Sequence, residues 1–249
     1  MTLDLSRSTA VVTGGARGIG LELTRQLVAR GGRVIAIGRN RKQLLALQAE
    51  NPTAITFRTV DLSSPGEVDR LVADLAANEQ DINILINNAG VQYEMDLFAP
   101  ERGEVSALAR REISTNLDSP VALTLGLLPT IARHEQGAVV NISSALAIAP
   151  KAASPVYCAT KAALRSFTKT LRYQCAHHAS HVLVSEAIMA LVDTDMTRGR
   201  GSGKITAARA ASEVLSALDR FESEVWVGKT KLLRIVNRLS PRLAERIMR

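Results

Sequence analysis

The sequence predicts an α/β fold, a doubly wound parallel sheet of about seven strands with helices on both faces. Three observations point there. Short apolar runs alternate with helical patterns along the whole chain. Those runs are continuously apolar, as in strands buried on both faces, rather than alternating. A glycine-rich turn joins the first run to the first helix, where open α/β sheets place their ligands.

Each element has its own signal. "TAVVTGG" (Thr9–Gly15) is a β-branched run that ends in glycines. "GIGLELTRQLVARGG" carries helical spacing at Ile19, Leu23, Leu27 and Val28 and stops at Gly31 and Gly32. "RVIAIGR" is the second strand, and "RKQLLALQAE" a helix that ends before Pro52. "AITFRTVDL" is the third strand, followed by the helix "PGEVDRLVADLAAN" with Pro65 near its start. "INILINNAG" is the fourth. One long helix is expected from about Glu104 to His134, interrupted at Asn116 and Pro120. "GAVVNISS" is strand five, "YCATKAALRSFTKTLRYQCAHH" a helix and "HVLVSEAIM" strand six. The helix "TAARAASEVLSALDRF" and the short seventh strand "SEVWVG" follow. No linker, charge block, repeat or low-complexity tract divides the chain, so residues 1–249 read as one domain.

The tail differs in composition. From Lys229 onward it holds Lys229, Lys231, Arg234, Arg238, Arg242, Arg246 and Arg249 against one acid, Glu245. Leu232, Leu233, Val236 and Leu239 recur at helical spacing, as do Leu243 and Ile247. Ser240-Pro241 fits an N-cap and first helical position, so two short amphipathic helices are expected. Their apolar faces either pack on the protein or a second copy, or rest weakly on an anionic membrane surface.

Composition narrows the function classes. Apolar residues make up 46% of the chain, ample for a core. The net charge of +7 calls for an anionic partner. Nucleic acid is not expected, because no helix-turn-helix or zinc-finger spacing appears and aromatics are only 3%. A phosphorylated small molecule fits better. No apolar run is long enough to span a bilayer, and no signal-peptide layout is present, so a cytoplasmic protein is expected. Cys158 and Cys175 suggest no disulfide framework. His177 and His181 have a metal-compatible spacing, but no further ligand set accompanies them; an exposed helix end is expected, and no metal.

In "TGGARGIG", Gly14 permits a tight turn, Gly18 lets a pyrophosphate approach the backbone, and Gly20 lets helix and strand pack closely. The helix N-terminus then faces the phosphates. An NAD site usually has an acid at the end of the second strand. Here Gly38-Arg39-Asn40 has none, while Arg17 sits inside the glycine turn. Two guanidinium groups suit a 2′-phosphate, so NADP(H) is the expected cofactor. Asp61 could accept from the adenine amino group, or could be an ordinary turn-forming Asp. "SPVYCATKAALRSF" places Tyr157 four residues before Lys161, on one helix face. Alone, that pair reads more plainly as a core aromatic beside a solvated lysine.

Together these motifs resemble the short-chain dehydrogenase/reductase family over nearly the whole chain. The matches are "TGGARGIG", Asp61-Leu62, "NNAG" (Asn87–Gly90), Asn116 in the long helix, Ser144 in "NISS", and "YCATK". The resemblance implies a Rossmann-type fold and hydride transfer between NADP(H) and a carbonyl or secondary alcohol. It implies cofactor contacts from Gly14, Arg17, Gly18, Ile19, Gly20, Arg39, Asn40, Asp61, Leu62, Asn88, Ala89 and Gly90. Tyr157 would be the acid/base, Lys161 its cation and ribose ligand, Ser144 the holder of the substrate oxygen, and Asn116 the anchor of a relay water. A homodimer or homotetramer is implied as well. Bringing a tyrosine from a pKa near ~10 toward neutrality takes ~4 kcal/mol. One cation at ~4 Å supplies about that at an effective dielectric of ~20.

Two departures stand out. Met189-Ala190 replaces the family's Pro-Gly after strand six, while Val192 and Thr194 keep the positions implied to hold the nicotinamide carboxamide. The tail replaces the family's usual ending and, with "LVDTDMT", resembles a bacterial branch named after an oxidoreductase of the teichoic-acid D-alanylation operon. Two other readings are an NADP(H)-binding regulator with little turnover, and a peripheral membrane or protein-binding module that uses the tail.

Overall fold

The computed structural model describes residues 2–100 and 102–248, except for the side chains of Ile247 and Met248. Arg249 and the Ile247 side chain therefore lie outside the described residues.

The main sheet is built from β1 (Thr9–Thr13), β2 (Arg33–Gly38), β3 (Ile55–Thr59), β4 (Ile84–Asn87), β5 (Gly137–Ser144), β6 (Val182–Met189) and β9 (Glu224–Trp226). Its order is β3-β2-β1-β4-β5-β6-β9, and every pairing is parallel. The chain winds outward through β2 and β3, then returns to place β4 on the other side of β1. The carboxyl ends of β1 and β4 thus form the switch point where such sheets bind ligands. Helices α1 (Gly18–Ala29) and α7 (Ala207–Asp219) cover one face. The other carries α3 (Pro65–Asn78), α5 (Ser119–Ile131) and α6 (Pro155–His178). α2 (Arg41–Glu50) covers the β2–β3 edge through Leu44 and Leu47. β1 and β4 are fully buried and β5 is buried up to Ser143, which suits their largely apolar sequence.

The expected long helix is three pieces. α4 (Arg102–Ile113) runs into a single π-helical turn, Ser114–Asp118, and then into α5. Asn116 lies in that turn and Pro120 in the first turn of α5, so the two interruption signals mark a change of winding rather than a break. α6 starts two residues earlier than the apolar pattern suggested, because Pro155 suits the first helical position. The short parallel pair β7 (Val192–Asp193) and β8 (Ile205–Thr206) was not expected. Two-residue strands carry no periodicity to read.

The tail forms α8 (Thr230–Leu239) and α9 (Pro241–Met248), separated at Ser240 as expected. Leu233, Val236 and Ala244 pack on Ala145 and Ala149. The opposite side leaves Leu232, Ile235, Leu239 and Leu243 exposed. None of the described helices is long and apolar enough to cross a membrane.

Candidate active site

A cleft of about 1180 Å³ opens along the carboxyl ends of the strands. At one end is the turn after β1. Gly14 takes a left-handed φ of +66° there, and its N–H donates to the Ile37 carbonyl at 2.7 Å. Gly20 is tighter still: a Cβ on it would lie 2.2 Å from the Gly14 oxygen and 2.5 Å from Asn88 Nδ2. Asn88 is fixed by its amide bond to the Thr13 carbonyl at 2.8 Å, and Thr13 Oγ1 accepts from both Asn88 and Ala89 N–H. These contacts lock the turns after β1 and β4 together, which keeps the start of α1 open to a ligand. Every residue expected to face the cofactor lines the cleft except Gly20, which packs behind it.

Arg17, in the turn after β1, and Arg39, just past the end of β2, both line the cleft. Arg39 is also 3.8 Å from Asp61, which Arg111 approaches at 3.4 Å. The other Asp61 oxygen accepts from Ser63 N–H at 3.0 Å and Ser63 Oγ at 2.8 Å, the local turn that is the plainer of the two readings of this residue. Burial opposes ionisation of Asp61, but the Ser63 hydrogen bonds and the two arginines outweigh it and hold the carboxyl below its ordinary range. Asn40 caps α2 by accepting from Gln43 N–H at 3.2 Å. Arg41 and Lys42 line the same end of the cleft. They were missed, although the run "RNRK" was a signal in plain view.

The opposite end holds Ser144, Tyr157 and Lys161. Ser144 closes β5, and Tyr157 and Lys161 lie one turn apart near the start of α6. Both are buried, at 8% and 4% exposure. Lys161 Nζ donates to the Ile142 carbonyl at 2.8 Å and lies 5.8 Å from the centre of the Tyr157 ring. The anticipated lowering of the phenol by this lysine is not what the geometry gives. Burial, with help from Cys158 and Glu112, pushes Tyr157 up to about 12 against the pull of Ser144 and Arg200. Burial also brings Lys161 down to about 8, partly offset by Glu186. Two groups sharing one dry pocket are each driven toward the neutral form. Tyr157 is therefore a protonated hydroxyl across the neutral range.

Asn116 is wholly buried behind the cleft wall. Its Oδ1 accepts from Val91 N–H at 2.9 Å, and its Nδ2 donates to the Val91 carbonyl at 2.8 Å and to Thr160 Oγ1 at 3.3 Å. The amide is committed to holding the segment after β4 that carries Gly90, so its direct reach is to that backbone. Met189 extends β6 to pair with Ser144, and Ala190 and Leu191 then line the cleft before β7. Thr194 lies against Gly18, where a Cβ would be 3.2 Å from Thr194 Cγ2. His181 is tied to the Ala132 carbonyl at 2.9 Å, and no metal-holding cluster occurs among the described residues.

A family model described as short chain dehydrogenase matches residues 8–204. The chain belongs to the short-chain dehydrogenase/reductase family. It is similar to the uncharacterized oxidoreductase DltE of Bacillus subtilis, at 34% identity over 79% of this chain and 76% of that protein. It is also 30% identical to the NADP-dependent 3-hydroxy acid dehydrogenase YdfG of Escherichia coli, over 87% of each chain. A short chain dehydrogenase of Burkholderia cenocepacia, solved in complex with NADP, superposes with a TM-score of 0.83 at 27% identity and covers 97% of both chains. This short-chain dehydrogenase/reductase thus has its family's sheet.

Proposed function

We propose that the protein is an NADP(H)-dependent oxidoreductase that moves hydride between the nicotinamide and a carbonyl or secondary alcohol. The observation that carries this is one cleft joining a glycine turn and an acid-free β2 end to Ser144 and the buried Tyr157–Lys161 pair. At about 1180 Å³ it exceeds the range of a single small-ligand pocket, roughly 300–1,000 Å³, and so accommodates a dinucleotide with a substrate. The residues fit the cofactor: Gly14 and Gly18 would leave the start of α1 open to a pyrophosphate, and Arg17, Arg39, Arg41 and Lys42 line the cleft and would hold a 2′-phosphate.

When bound, the reduced nicotinamide supplies hydride to the carbonyl carbon. Tyr157 and Ser144 hold the carbonyl oxygen, and the Tyr157 hydroxyl delivers the proton as charge develops there. Lys161 supports the resulting phenolate and holds the ribose. Asn116 positions the Gly90–Val91 backbone beside Lys161. The YdfG and Burkholderia likenesses support the choice of NADP(H). Tyr157→Phe removes one hydroxyl at little change in volume. Steady NADPH consumption with a panel of carbonyls should fall ~100-fold or more, while NADPH binding persists. Near-full activity in that variant would overturn the assignment. A protein that binds NADPH but reduces no carbonyl would instead be the regulator.

Exposed Ile113, Leu125 and Tyr173 on α4, α5 and α6 support self-association through those helices, as a homodimer or homotetramer. The tail favours one further property. Leu232, Ile235, Leu239 and Leu243 remain exposed beside Arg234, Arg238 and Arg242, which suits weak contact with an anionic membrane surface.

A further inference from the structure

The substrate end of the cleft carries charges that the hydride chemistry does not use. Lys151, Gln92 and Arg200 line it together with Ser144 and Tyr157. Arg200 comes from the loop between β7 and β8, far from the other two in sequence. Gly199 and Gly201 flank it at φ of +75° and +55°, backbone that lets the loop fold back over the cleft.

The arrangement is held from several sides. Arg200 Nη1 donates to Gln92 Oε1 at 2.9 Å, and Gln92 Nε2 donates to Ser154 Oγ at 3.1 Å, at the start of the helix that carries Tyr157. Glu94 accepts from Lys151 at 2.9 Å and lies 3.8 Å from Arg200 Nε. Two cations and one carboxylate leave a single net positive charge. Arg200 Nη2 has no hydrogen-bond partner among the described residues, so its N–H groups are free to donate. Arg200 and Tyr157 line the same cleft. Arg200 and Lys151 are about one-third exposed, at 32% and 33%, while Glu94 is more open at 51%. The cations therefore sit deeper than the acid that partly neutralises them, and an anion within the cleft would meet them on the less hydrated side.

Resting on the oxidoreductase reading above, we propose that Arg200, braced by Gln92, binds a substrate carboxylate and selects short oxo acids and the corresponding hydroxy acids. A guanidinium edge matches the two oxygens of a carboxylate. One net charge is balanced by a monoanion, so a carboxylate fits better than a phosphate dianion. The carboxylate takes no part in the bond changes. Hydride adds to the carbonyl carbon, the π pair moves to oxygen, that oxygen takes the Tyr157 proton, and the nicotinamide is oxidised. Arg200 fixes the far end of the substrate so that the carbonyl meets Tyr157.

The test is the ratio of kcat/KM for 3-oxo acids to that for their methyl esters, measured with NADPH, with a phosphorylated hydroxyketone as a third arm. Wild type should favour the acids over both. Arg200→Gln should lower the acid-to-ester ratio at least tenfold, mainly through KM for the acid. Glu94→Gln releases Arg200 and Lys151 from their carboxylate and should raise that ratio several-fold, a direction that damage to the fold would not produce. Esters favoured in wild type, or an equal loss on acid and ester in Arg200→Gln, would overturn the carboxylate assignment alone. Preference for the phosphorylated substrate would overturn it in favour of a phosphate site. Absence of turnover on every carbonyl despite NADPH binding would overturn both this assignment and the oxidoreductase reading.

Discussion

Replacing Lys161 with methionine should make the protein more stable at neutral pH while abolishing its chemistry. The side chain is 4% exposed, and its pKa falls from 10.5 to about 8, chiefly through burial. The unfolded chain therefore binds more protons than the folded one between those values, so stability rises with pH across that window. Below pH 8 the buried cation costs about 3 kcal/mol, at ~1.4 kcal/mol per pKa unit. By pH 10 about 1 kcal/mol of that cost remains. Methionine has a similar length and no charge, but leaves the Ile142 carbonyl without the 2.8 Å bond it now accepts, a loss of about 2 kcal/mol. The variant should thus be about 1 kcal/mol more stable than wild type at pH 7 and about 1 kcal/mol less stable at pH 10. Urea denaturation of both proteins at the two pH values, at one protein concentration, measures this. Tyr157, raised to about 12, loses stability only above pH 10, and that contribution is shared by both proteins. A difference between the two proteins that stays constant from pH 7 to 10 would refute the buried-cation reasoning.

Other outcomes follow from the same geometry. Arg17→Ala combined with Arg39→Ala should reduce the preference for NADPH over NADH at least tenfold, about 1.4 kcal/mol, in cofactor titrations; equal wild-type affinities would sink that assignment. Gly20→Ala should remove cofactor binding and lower the melting temperature, because its Cβ would meet backbone at 2.2 Å; unchanged binding would show that the two turns can separate. In flotation assays at low salt, the full chain should bind anionic but not neutral vesicles, and a chain cut after Gly228 should lose that binding. Equal flotation of the two chains would remove the membrane reading of the tail.

The sheet and the local motifs of the proposed site were legible in one dimension. Buried parallel strands must be apolar on both faces, so Thr9–Thr13 and Gly137–Ser144 announce themselves without any partner in view. The glycine turn and the Tyr157–Lys161 spacing are local, set by backbone sterics and by one helical turn. What local rules could not supply was environment. The Tyr157–Lys161 spacing suggested that the lysine would acidify the phenol, yet only the packed structure shows Lys161 drawn to the Ile142 carbonyl and both groups pushed toward neutrality by burial. Asn116 is picked out by the family resemblance, but its bonds to Val91 depend on a segment 25 residues away. The tail's helical period was plain, whereas which leucines face the body was decided by contact with Ala145 and Ala149. Arg200 was one basic residue in a glycine-rich loop until the fold laid it beside Gln92, 108 positions earlier in the chain. Periodicity and turn chemistry are carried by neighbours in sequence; desolvation and charge pairing depend on neighbours in space, which only the tertiary structure assigns.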